Sequence, residues 1–556
     1  MKRTLKLSIT SLILLLSVLN FQTLTGKPAV EKYGFFETAF TASGSYENPY
    51  LQLTAEAEIK RPDGSKWTIP LFWDGGQTWK LRISPDIKGK WSFIVRSADK
   101  GLNGKTGSFK CRKSSLTGSI QPMKGYPHHF EYQNGEPVWF MGETAWALFT
   151  DNAEEKHDRQ GVEKFLEARA SQGFNAVHSM VLSEAGWGNS GGMPWEDLAS
   201  QKINPGYWQE MDARVKSANQ KGLVVGLAIA WGDKNRKVPF SWRMFPDQAA
   251  RERYARYMAA RYSAYKVYYL VSGEWHGEVR TRPSTDPEMK KEFTAIGDAL
   301  DKAEPHGRMI GIHPMTSGGS VREYNDATWM SFGDYQQNYR YLHARMLESF
   351  KFNKPVVNSE YGYHLRDSNG DGVPDKDNST SLESIRYSSW DIAMTGGYFV
   401  TGFGTTYFGG FRDPGPFNID AAKNDDWELQ IGFIKKFFSG LEWWKLESHD
   451  EWLTSAASRG EDGKQFNQLA PPETTYWLLS EPGKQYLIYG RGLTDPLKVQ
   501  LGKNAGDKYR AMLMNPRTGE IRTIAEDQQI DDNYTWNLPD KNDWVLHLVN
   551  KSAAGK

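Results

Sequence analysis

Two glutamates stand at the ends of strand-like segments in the middle of the chain. KVYYLVSGE ends in Glu274, and KPVVNSE ends in Glu360. If both segments are strands of a parallel barrel, these carboxylates lie at the carboxyl-terminal edge, where such barrels carry their chemistry. Facing carboxylates can cleave a glycosidic bond, because one protonates the leaving oxygen while the other attacks or activates water. Shared burial would raise the pKa of one of them and keep it protonated near neutral pH.

A metal-dependent alternative rests on GEWHGE, in which Glu274, His276 and Glu278 alternate. On an extended strand these side chains would share a face and could bind a divalent metal. No second histidine has a helpful spacing, and the helical HExxH pattern is absent. The sequence therefore predicts no cofactor for catalysis. Glu278 stays open as an alternative acid, and a solvated strand end is the alternative for both Glu274 and Glu360.

The segment after Glu360 carries acidic residues at alternating positions. DSNGDGVPD has the spacing of a calcium loop, in which oxygen ligands wrap a hard cation and a glycine permits the sharp turn. The predicted metal ligands are Asp367, Asn369, Asp371 and Asp375. Asn378 stands where an EF-hand has its bidentate glutamate, so a solvated acidic turn is the alternative. A calcium ion here would fix the loop and would not perform the chemistry.

Further polar and aromatic residues fall near the ends of the other predicted strands. Aromatic rings offer faces for sugar stacking, and polar tips offer hydrogen bonds to hydroxyl groups. The predicted substrate-binding residues are Glu143, Trp146, His178, Trp231, His313 and Tyr335. A purely structural role is the alternative for each of them.

The elements that must position these residues follow from the periodicity. Between residues 116 and 447, eight apolar segments alternate with helical segments. This alternation predicts an α/β fold, a (β/α)8 TIM barrel, with a doubly wound sheet as the alternative. Residues 30–113 and 448–556 instead alternate with period two between Gly, Pro and Asp turns. Each of these two regions is predicted to be a β-sandwich that flanks the barrel.

The N-terminus has the pattern of a signal peptide. Lys2, Arg3 and Lys6 precede the short apolar run SLILLLSVLN, which predicts a cleaved segment over residues 1–26 rather than a stable membrane span. Cys111 is the single cysteine, so no disulfide framework is predicted. These features favour a secreted or periplasmic bacterial protein. With 68 Lys and Arg against 67 Asp and Glu, the charge balance does not favour nucleic acid.

Several motifs resemble one family of glycoside hydrolases. VSGEW and KPVVNSEYGY are similar to the strand ends of clan A enzymes, and GEPVWFMGETAW, GYWQEMDARVKSANQKGL and MNPRTGE resemble the apiosidase-like family. SPDIKGKWSF and GKTGSFKC resemble the small β-sandwich that precedes such barrels, and the C-terminal region resembles a collagen-binding-type sandwich. The resemblance implies that Glu360 is the nucleophile and Glu274 the acid/base. Ser272 and Gly273 before Glu274 depart from the usual residues, which leaves the sugar open.

The sequence thus predicts a retaining glycoside hydrolase that acts on plant or algal polysaccharide. A non-catalytic carbohydrate-binding or surface adhesion protein on the same scaffold is the main alternative. A polysaccharide lyase is a third, less favoured reading, with His313 or Tyr335 as its base. The expected partner is a polysaccharide or oligosaccharide substrate, and no obligatory protein partner is evident.

Overall fold

The fold is taken from a computed structural model of the chain. It describes residues 29–151, 158–183, 186–232, 241–276, 287–315, 318–336, 342–362, 380–402, 426–460, 471–501 and 507–552. The predicted signal peptide lies outside these residues. No helix of the described residues is both long enough and apolar enough to cross a membrane.

Eight parallel strands form the central barrel and confirm the predicted α/β fold. The strands are β1 Met141–Thr144, β2 Ala176–Met180, β3 Val224–Ala228, β4 Val267–Leu270, β5 Ile310–Gly311, β6 Gly333–Gln336, β7 Val356–Asn358 and β8 Tyr398–Thr401. All eight fall inside the segments that the periodicity marks as strands. They are ordered β5-β4-β3-β2-β1-β8-β7-β6 around the sheet, with the short strand Gly318–Gly319 antiparallel to β6.

The barrel closes between β5 and β6. Among the described residues, this closure consists of the bridge between Ile310 and Met330 and of hydrogen bonds made by Ser331. The Ser331 amide donates to the Ile310 carbonyl at 2.8 Å, and the Ser331 hydroxyl accepts from the Ile310 amide at 3.1 Å. The β5–β6 side is therefore joined by fewer backbone bonds than the β2–β3 side, where five residue pairs are in register.

Helices surround the barrel and begin where the sequence supplies caps. They are α1 Arg159–Ser171, α2 Pro205–Gln220, α3 Gln248–Tyr262, α4 Pro287–Lys302, α5 Val321–Tyr324, α6 Leu342–Ser349, α7 Leu382–Ala393 and α8 Asp426–Ser439. Asp158, Asp247 and Ser381 accept backbone N–H bonds at the starts of α1, α3 and α7, which satisfies donors that a helix leaves free. Short 3-10 turns span Trp242–Met244, Phe350–Phe352, Trp443–Lys445 and Asp450–Trp452.

The interior of the barrel is filled by side chains, not by a channel. Tyr268 of β4 points inward beside Gly226 of β3, and a Cβ atom at position 226 would lie only 2.2 Å from the Tyr268 ring. Glycine at this position thus makes room for the large ring. At the amino-terminal end, Phe130 packs against Phe140 and Tyr398, with ring centroids 5.3 and 5.0 Å apart. Phe130 belongs to a small sheet of strands Ile120–Met123, Tyr126–Tyr132 and Pro137–Val138, which caps this end.

β-Sheets flank the barrel on both sides in the chain, as the sequence predicts. The N-terminal region has a five-stranded sheet (Ala29–Glu31, Ala55–Lys60, Lys66–Pro70, Gly89–Ser97, Thr106–Arg112), a three-stranded sheet (Phe36–Thr41, Phe72–Trp73, Thr78–Ile83) and the short helix Pro49–Gln52. The C-terminal region has a six-stranded sheet (Glu447–Ser448, Thr475–Glu481, Gln485–Arg491, Lys508–Met514, Ile521–Gln529, Trp544–Asn550) and a three-stranded sheet (Leu453–Thr454, Leu497–Gln500, Asn533–Trp536). A two-stranded ribbon, Trp195–Asp197 with Lys202–Ile203, lies between β2 and α2.

Buried ion pairs join both regions to the barrel. On the N-terminal side, Arg82 donates to both oxygens of Asp212 on α2, at 3.1 and 2.6 Å. Arg261 of α3 donates to the same carboxylate at 2.9 and 2.8 Å. On the C-terminal side, Arg491 makes two bonds of 2.8 Å with Asp391 of α7. Bidentate pairs of this kind fix orientation as well as distance.

Candidate active site

Glu360 follows β7 directly and is almost completely buried. The residue is 4% exposed, and its Oε2 lies 2.9 Å from Nε2 of His313, which follows β5. His313 is fully buried as well. A histidine at this distance can donate to the carboxylate, hold it in one orientation and, when protonated, neutralise part of its charge.

A second carboxylate contacts the other side of the same imidazole. Nδ1 of His313 lies 3.0 Å from Oδ2 of Asp334 on β6 and 2.9 Å from the Ser359 hydroxyl. Burial alone would lower the pKa of His313, but Asp334 and Glu360 outweigh it and raise this pKa to about 10. Burial raises the pKa of Asp334, while His313 and Ser359 act in the opposite direction. His313 is therefore an imidazolium held between two carboxylates at neutral pH.

Glu274 follows β4 and is held in an uncommon backbone conformation. Its φ of +36° lies in the left-handed region, which residues other than glycine rarely adopt. The side chain is 8% exposed. Gln336 of β6 donates to Oε1 at 3.2 Å, and the Trp231 indole donates to Oε2 at 3.4 Å. Strained backbone of this kind is concentrated at functional sites.

A steric constraint explains why the residue before Glu274 is a glycine. A Cβ atom at Gly273 would lie 2.0 Å from the Trp231 ring, which packs directly on the Gly273 backbone. The two residues are also joined by backbone bridging, and Gly232 donates to the Gly273 carbonyl at 2.7 Å. Gly273 thus permits the close approach that brings the Trp231 indole to Glu274.

Aromatic rings connect the two glutamates. The Trp231 ring is 6.0 Å from the His313 ring and 5.4 Å from Trp146, measured between centroids. Trp146 also packs edge-on against His178 at 4.7 Å. Because Trp231 contacts Glu274 and His313 contacts Glu360, both carboxylates belong to one buried cluster at the carboxyl-terminal end of the barrel.

The structure brings four of the six residues predicted to bind substrate into this cluster: Trp146, His178, Trp231 and His313. The other two point toward the helices. Glu143 forms a buried ion pair with Arg169 of α1, and the Tyr335 hydroxyl contacts Ser349 at the end of α6. Their placement supports a structural role, and it gives no support to contact with substrate.

Sequence reasoning missed Asp334, Gln336 and Ser359. Asp334 and Gln336 flank Tyr335 in GDYQ, so they occupy the opposite face of β6. The alternation in the sequence marks two faces but does not tell which one points into the barrel. Tyr335 was predicted to bind substrate because it is aromatic, and it lies on the outer face. Ser359 immediately precedes Glu360, and nothing in its type or spacing indicates that its hydroxyl contacts His313.

The predicted calcium loop belongs to a part of the chain that the structure does not describe. Asp367, Asn369, Asp371 and Asp375 lie outside the described residues, as does Glu278. Within the described part of the chain, no group of three His, Cys, Asp or Glu side chains is arranged to hold a metal ion. Burial, with His313 as a second cause, lowers the pKa of His276 to about 4.

The barrel, with one glutamate after β4 and another after β7, defines a glycoside hydrolase of the (β/α)8 type. Residues 126–445 match the model of the apiosidase-like catalytic domain. The chain belongs to this apiosidase-like family. Residues 29–98 match a domain of unknown function, DUF5060. No curated protein matches the chain significantly.

Solved structures share the fold over most of the chain. A candidate glycoside hydrolase of Bacteroides vulgatus ATCC 8482 is 16% identical, with a TM-score of 0.70, and the match covers 94% of this chain and all (100%) of the other. A glycoside hydrolase family 5 protein from the same organism is 18% identical, with a TM-score of 0.60. This match covers 78% of this chain and 94% of the other. At these identities the likeness concerns the fold.

Proposed function

We propose that this glycoside hydrolase is a retaining enzyme in which Glu360 attacks the sugar and Glu274 protonates the leaving oxygen. The observation that carries the proposal is the pair of buried carboxylates that follow β4 and β7 in one cluster, one of them bonded to the His313 imidazolium. Glu360 contacts the His313 imidazolium at 2.9 Å, and this bond holds the carboxylate in one orientation for attack. Glu274 accepts hydrogen bonds from the Gln336 amide at 3.2 Å and from the Trp231 indole at 3.4 Å.

The chemistry proceeds in two displacements. Glu360 attacks the anomeric carbon as Glu274 gives its proton to the departing oxygen, and a glycosyl-enzyme ester forms. Glu274, now ionised, removes a proton from water, and the water oxygen displaces Glu360 from the anomeric carbon. His313 stays protonated throughout and orients the Glu360 carboxylate. Trp146 and Trp231 supply ring faces near the sugar.

The proposed substrate is a plant or algal polysaccharide or oligosaccharide, and the proposed location is secreted or periplasmic. The family membership and the signal-like N-terminus support these two statements. An apiose-containing substrate is supported only by the family description. A structural calcium ion in the loop 367–375 stays a prediction. It is tested by whether calcium raises the melting temperature of the wild type but not that of Asp371→Ala.

The test compares hydrolysis of a panel of such polysaccharides by the wild type, Glu274→Gln and Glu360→Gln. Loss of the acid/base should lower the rate by about 10²–10⁴-fold, and loss of the nucleophile by at least as much. An activated aryl glycoside should restore the first step of Glu274→Gln, because a good leaving group needs no proton. Glu58→Gln, an exposed glutamate in the N-terminal region, is the matched control.

Three outcomes contradict the proposal. Equal product from the wild type and both site variants would remove the assigned roles. A first-formed sugar of inverted anomeric configuration, read by NMR before mutarotation, would exclude the retaining mechanism. Product from none of the proteins on any substrate, together with unaltered sugar binding by both variants, would favour the carbohydrate-binding alternative.

A further inference from the structure

The side-chain amide of Gln336 contacts the proposed acid/base through one of its two ends. Nε2 of Gln336 donates to Oε1 of Glu274 at 3.2 Å, the long end of the range for such bonds. Oε1 of Gln336 is buried and makes no hydrogen bond within the described part of the chain. A buried polar atom without a partner is costly, so the unused carbonyl beside Glu274 calls for an explanation.

The two ends of a glutamine amide have almost the same size and opposite hydrogen-bonding chemistry. The NH₂ end donates, and the carbonyl end accepts. The last side-chain bond of glutamine has two broad orientations that are half a turn apart. Half a turn of the Gln336 amide would place its carbonyl oxygen against Oε1 of Glu274. Because this oxygen has no partner to lose in the described structure, the turn breaks only the bond with Glu274 itself.

The surroundings fix the backbone of Gln336 and one oxygen of Glu274. The Gln336 backbone is paired with Gly318 of the short antiparallel strand, so the side chain is the part that can adapt. The Trp231 indole contacts Oε2 of Glu274 at 3.4 Å, and an indole N–H can only donate. Oε2 therefore serves as an acceptor, which favours Oε1, the oxygen that faces Gln336, as the site of the Glu274 proton.

We propose that Gln336 is a positioning residue whose amide turns with the protonation of Glu274, so that Nε2 donates to the carboxylate and Oε1 accepts from the carboxylic acid. The retaining reaction needs both states, because Glu274 gives its proton to the leaving oxygen and later takes one from water. Gln336 itself neither gains nor loses a proton. The inference deepens the proposed function and rests on it for the role of Glu274 as acid/base.

The first test is a pair of neutron crystal structures in D₂O, because neutrons locate the hydrogen positions that X-rays do not show at ordinary resolution. One structure is of the wild type at a pH at which Glu274 carries no deuteron. The other is of Glu274→Gln, whose neutral amide imitates the carboxylic acid. In this variant the Trp231 indole should hold the new carbonyl on its own side, which points the new NH₂ group at Gln336.

The two structures should show opposite orientations of the Gln336 amide. Nε2 should face Glu274 in the wild type, as it does here at 3.2 Å, and Oε1 should face the new amide in Glu274→Gln. The same end of Gln336 facing position 274 in both structures would overturn the proposal.

The second test is kinetic and compares Gln336→Lys, which can only donate, with Gln336→Met, which can neither donate nor accept. Gln336→Lys should slow the first displacement by about 10-fold or more for a substrate with a poor leaving group, because a cation beside Glu274 favours its ionised form. An activated aryl glycoside needs no proton, so most of this loss should disappear with it. Gln336→Met should slow both displacements by about 3–10-fold, the effect of one lost hydrogen bond.

Gln121→Met supplies the control for the lost amide. Gln121 also donates to a glutamate, Glu131, at 2.9 Å, but in the small sheet at the opposite end of the barrel. Both displacements should keep their wild-type rates in this variant. An equal loss in Gln336→Lys for activated and unactivated substrates would overturn the proposal, because a merely structural role affects all substrates alike. Wild-type rates in Gln336→Met would overturn it as well.

These readings separate the inference from the proposed function. One fixed orientation of Gln336 would remove the turning amide, whatever Glu274→Gln does to hydrolysis. A turned amide, together with full hydrolysis of unactivated substrates by Glu274→Gln, would keep the pairing and remove the acid/base assignment. If Gln336→Lys does not fold, the neutron structures and Gln336→Met still decide the question.

Discussion

At the scale of single residues, the site depends on one buried charge. His313 is fully buried, yet two carboxylates keep it protonated and so make it the group that orients Glu360. Its pKa is raised from 6.5 to about 10 by the balance of burial against Asp334 and Glu360. The proton that His313 gains on folding therefore links the stability of the protein to pH.

We expect the stabilisation from His313 to fade in alkaline solution. Because its pKa is raised on folding from 6.5 to about 10, the contribution is complete below about pH 6.5 and is lost as the pH rises through about 10. The wild type should have a higher melting temperature than His313→Gln. This difference should be largest at pH 6 and should shrink at each step toward pH 10.5. A difference that stays constant or grows with pH would contradict the charged imidazole.

The two glutamates were predictable because their position depends on topology alone. A parallel barrel brings the ends of β4 and β7 to the same edge, whatever the side chains do. The side chains that contact these glutamates were harder to predict from the sequence. Which face of β6 points inward depends on how the whole barrel packs, so Asp334 and Gln336 could not be distinguished from Tyr335 by alternation alone.

At the scale of elements, the turn after β4 determines where Glu274 stands. The Trp231 ring lies on the Gly273 backbone, and the next residue takes a positive φ of +36°. The first of these features explains why a glycine stands immediately before Glu274. The indole, which bonds to Glu274, occupies the space that a side chain at position 273 would need.

Gly273→Ala should therefore damage the site without removing any catalytic group. The added methyl would lie 2.0 Å from the Trp231 ring, and the ring must move. We expect a loss of about 1–3 kcal/mol in the free energy of unfolding, and a fall in kcat larger than the change in KM. Urea unfolding and steady-state kinetics measure these.

The matched control is Gly490→Ala in the C-terminal region, where an added Cβ atom meets its neighbours at an ordinary 3.4 Å. Its stability should change by less than that of Gly273→Ala, and its kinetics should not change. Wild-type kinetics in Gly273→Ala would show that the indole position does not matter for Glu274.

At the scale of the whole molecule, the flanking regions are attached by buried charges. Asp212 of α2 accepts bonds from Arg82 of the N-terminal region and from Arg261 of α3, with four distances between 2.6 and 3.1 Å. A lost partner leaves a buried charge without compensation, which costs about 3–5 kcal/mol. The period-two pattern predicted these flanking sheets, but contacts between distant segments leave no periodic signal in the sequence.

Asp212→Asn should loosen the N-terminal region before it affects the barrel. The amide cannot balance two guanidinium groups, so urea unfolding should show an earlier transition, and limited proteolysis should cut first near residues 112–119. Asp326→Asn, an exposed aspartate paired with Lys290 at 3.1 Å, is the control and should cost at most about 1 kcal/mol. Equal stability of the two variants would show that the buried pair does not hold the regions together.

The narrow closure between β5 and β6 has a consequence for the motions of the barrel. Few backbone bonds of the described residues cross this side, and the ion pair between His313 and Asp334 also joins its two strands. Local opening of a protein begins where backbone bonding is sparsest. Amide hydrogens along β5 should consequently exchange with solvent faster than those of β2 and β3, and faster still once His313 loses its proton. The same rise in pH would then weaken the contact of His313 with Glu360 and the closure of the barrel between β5 and β6.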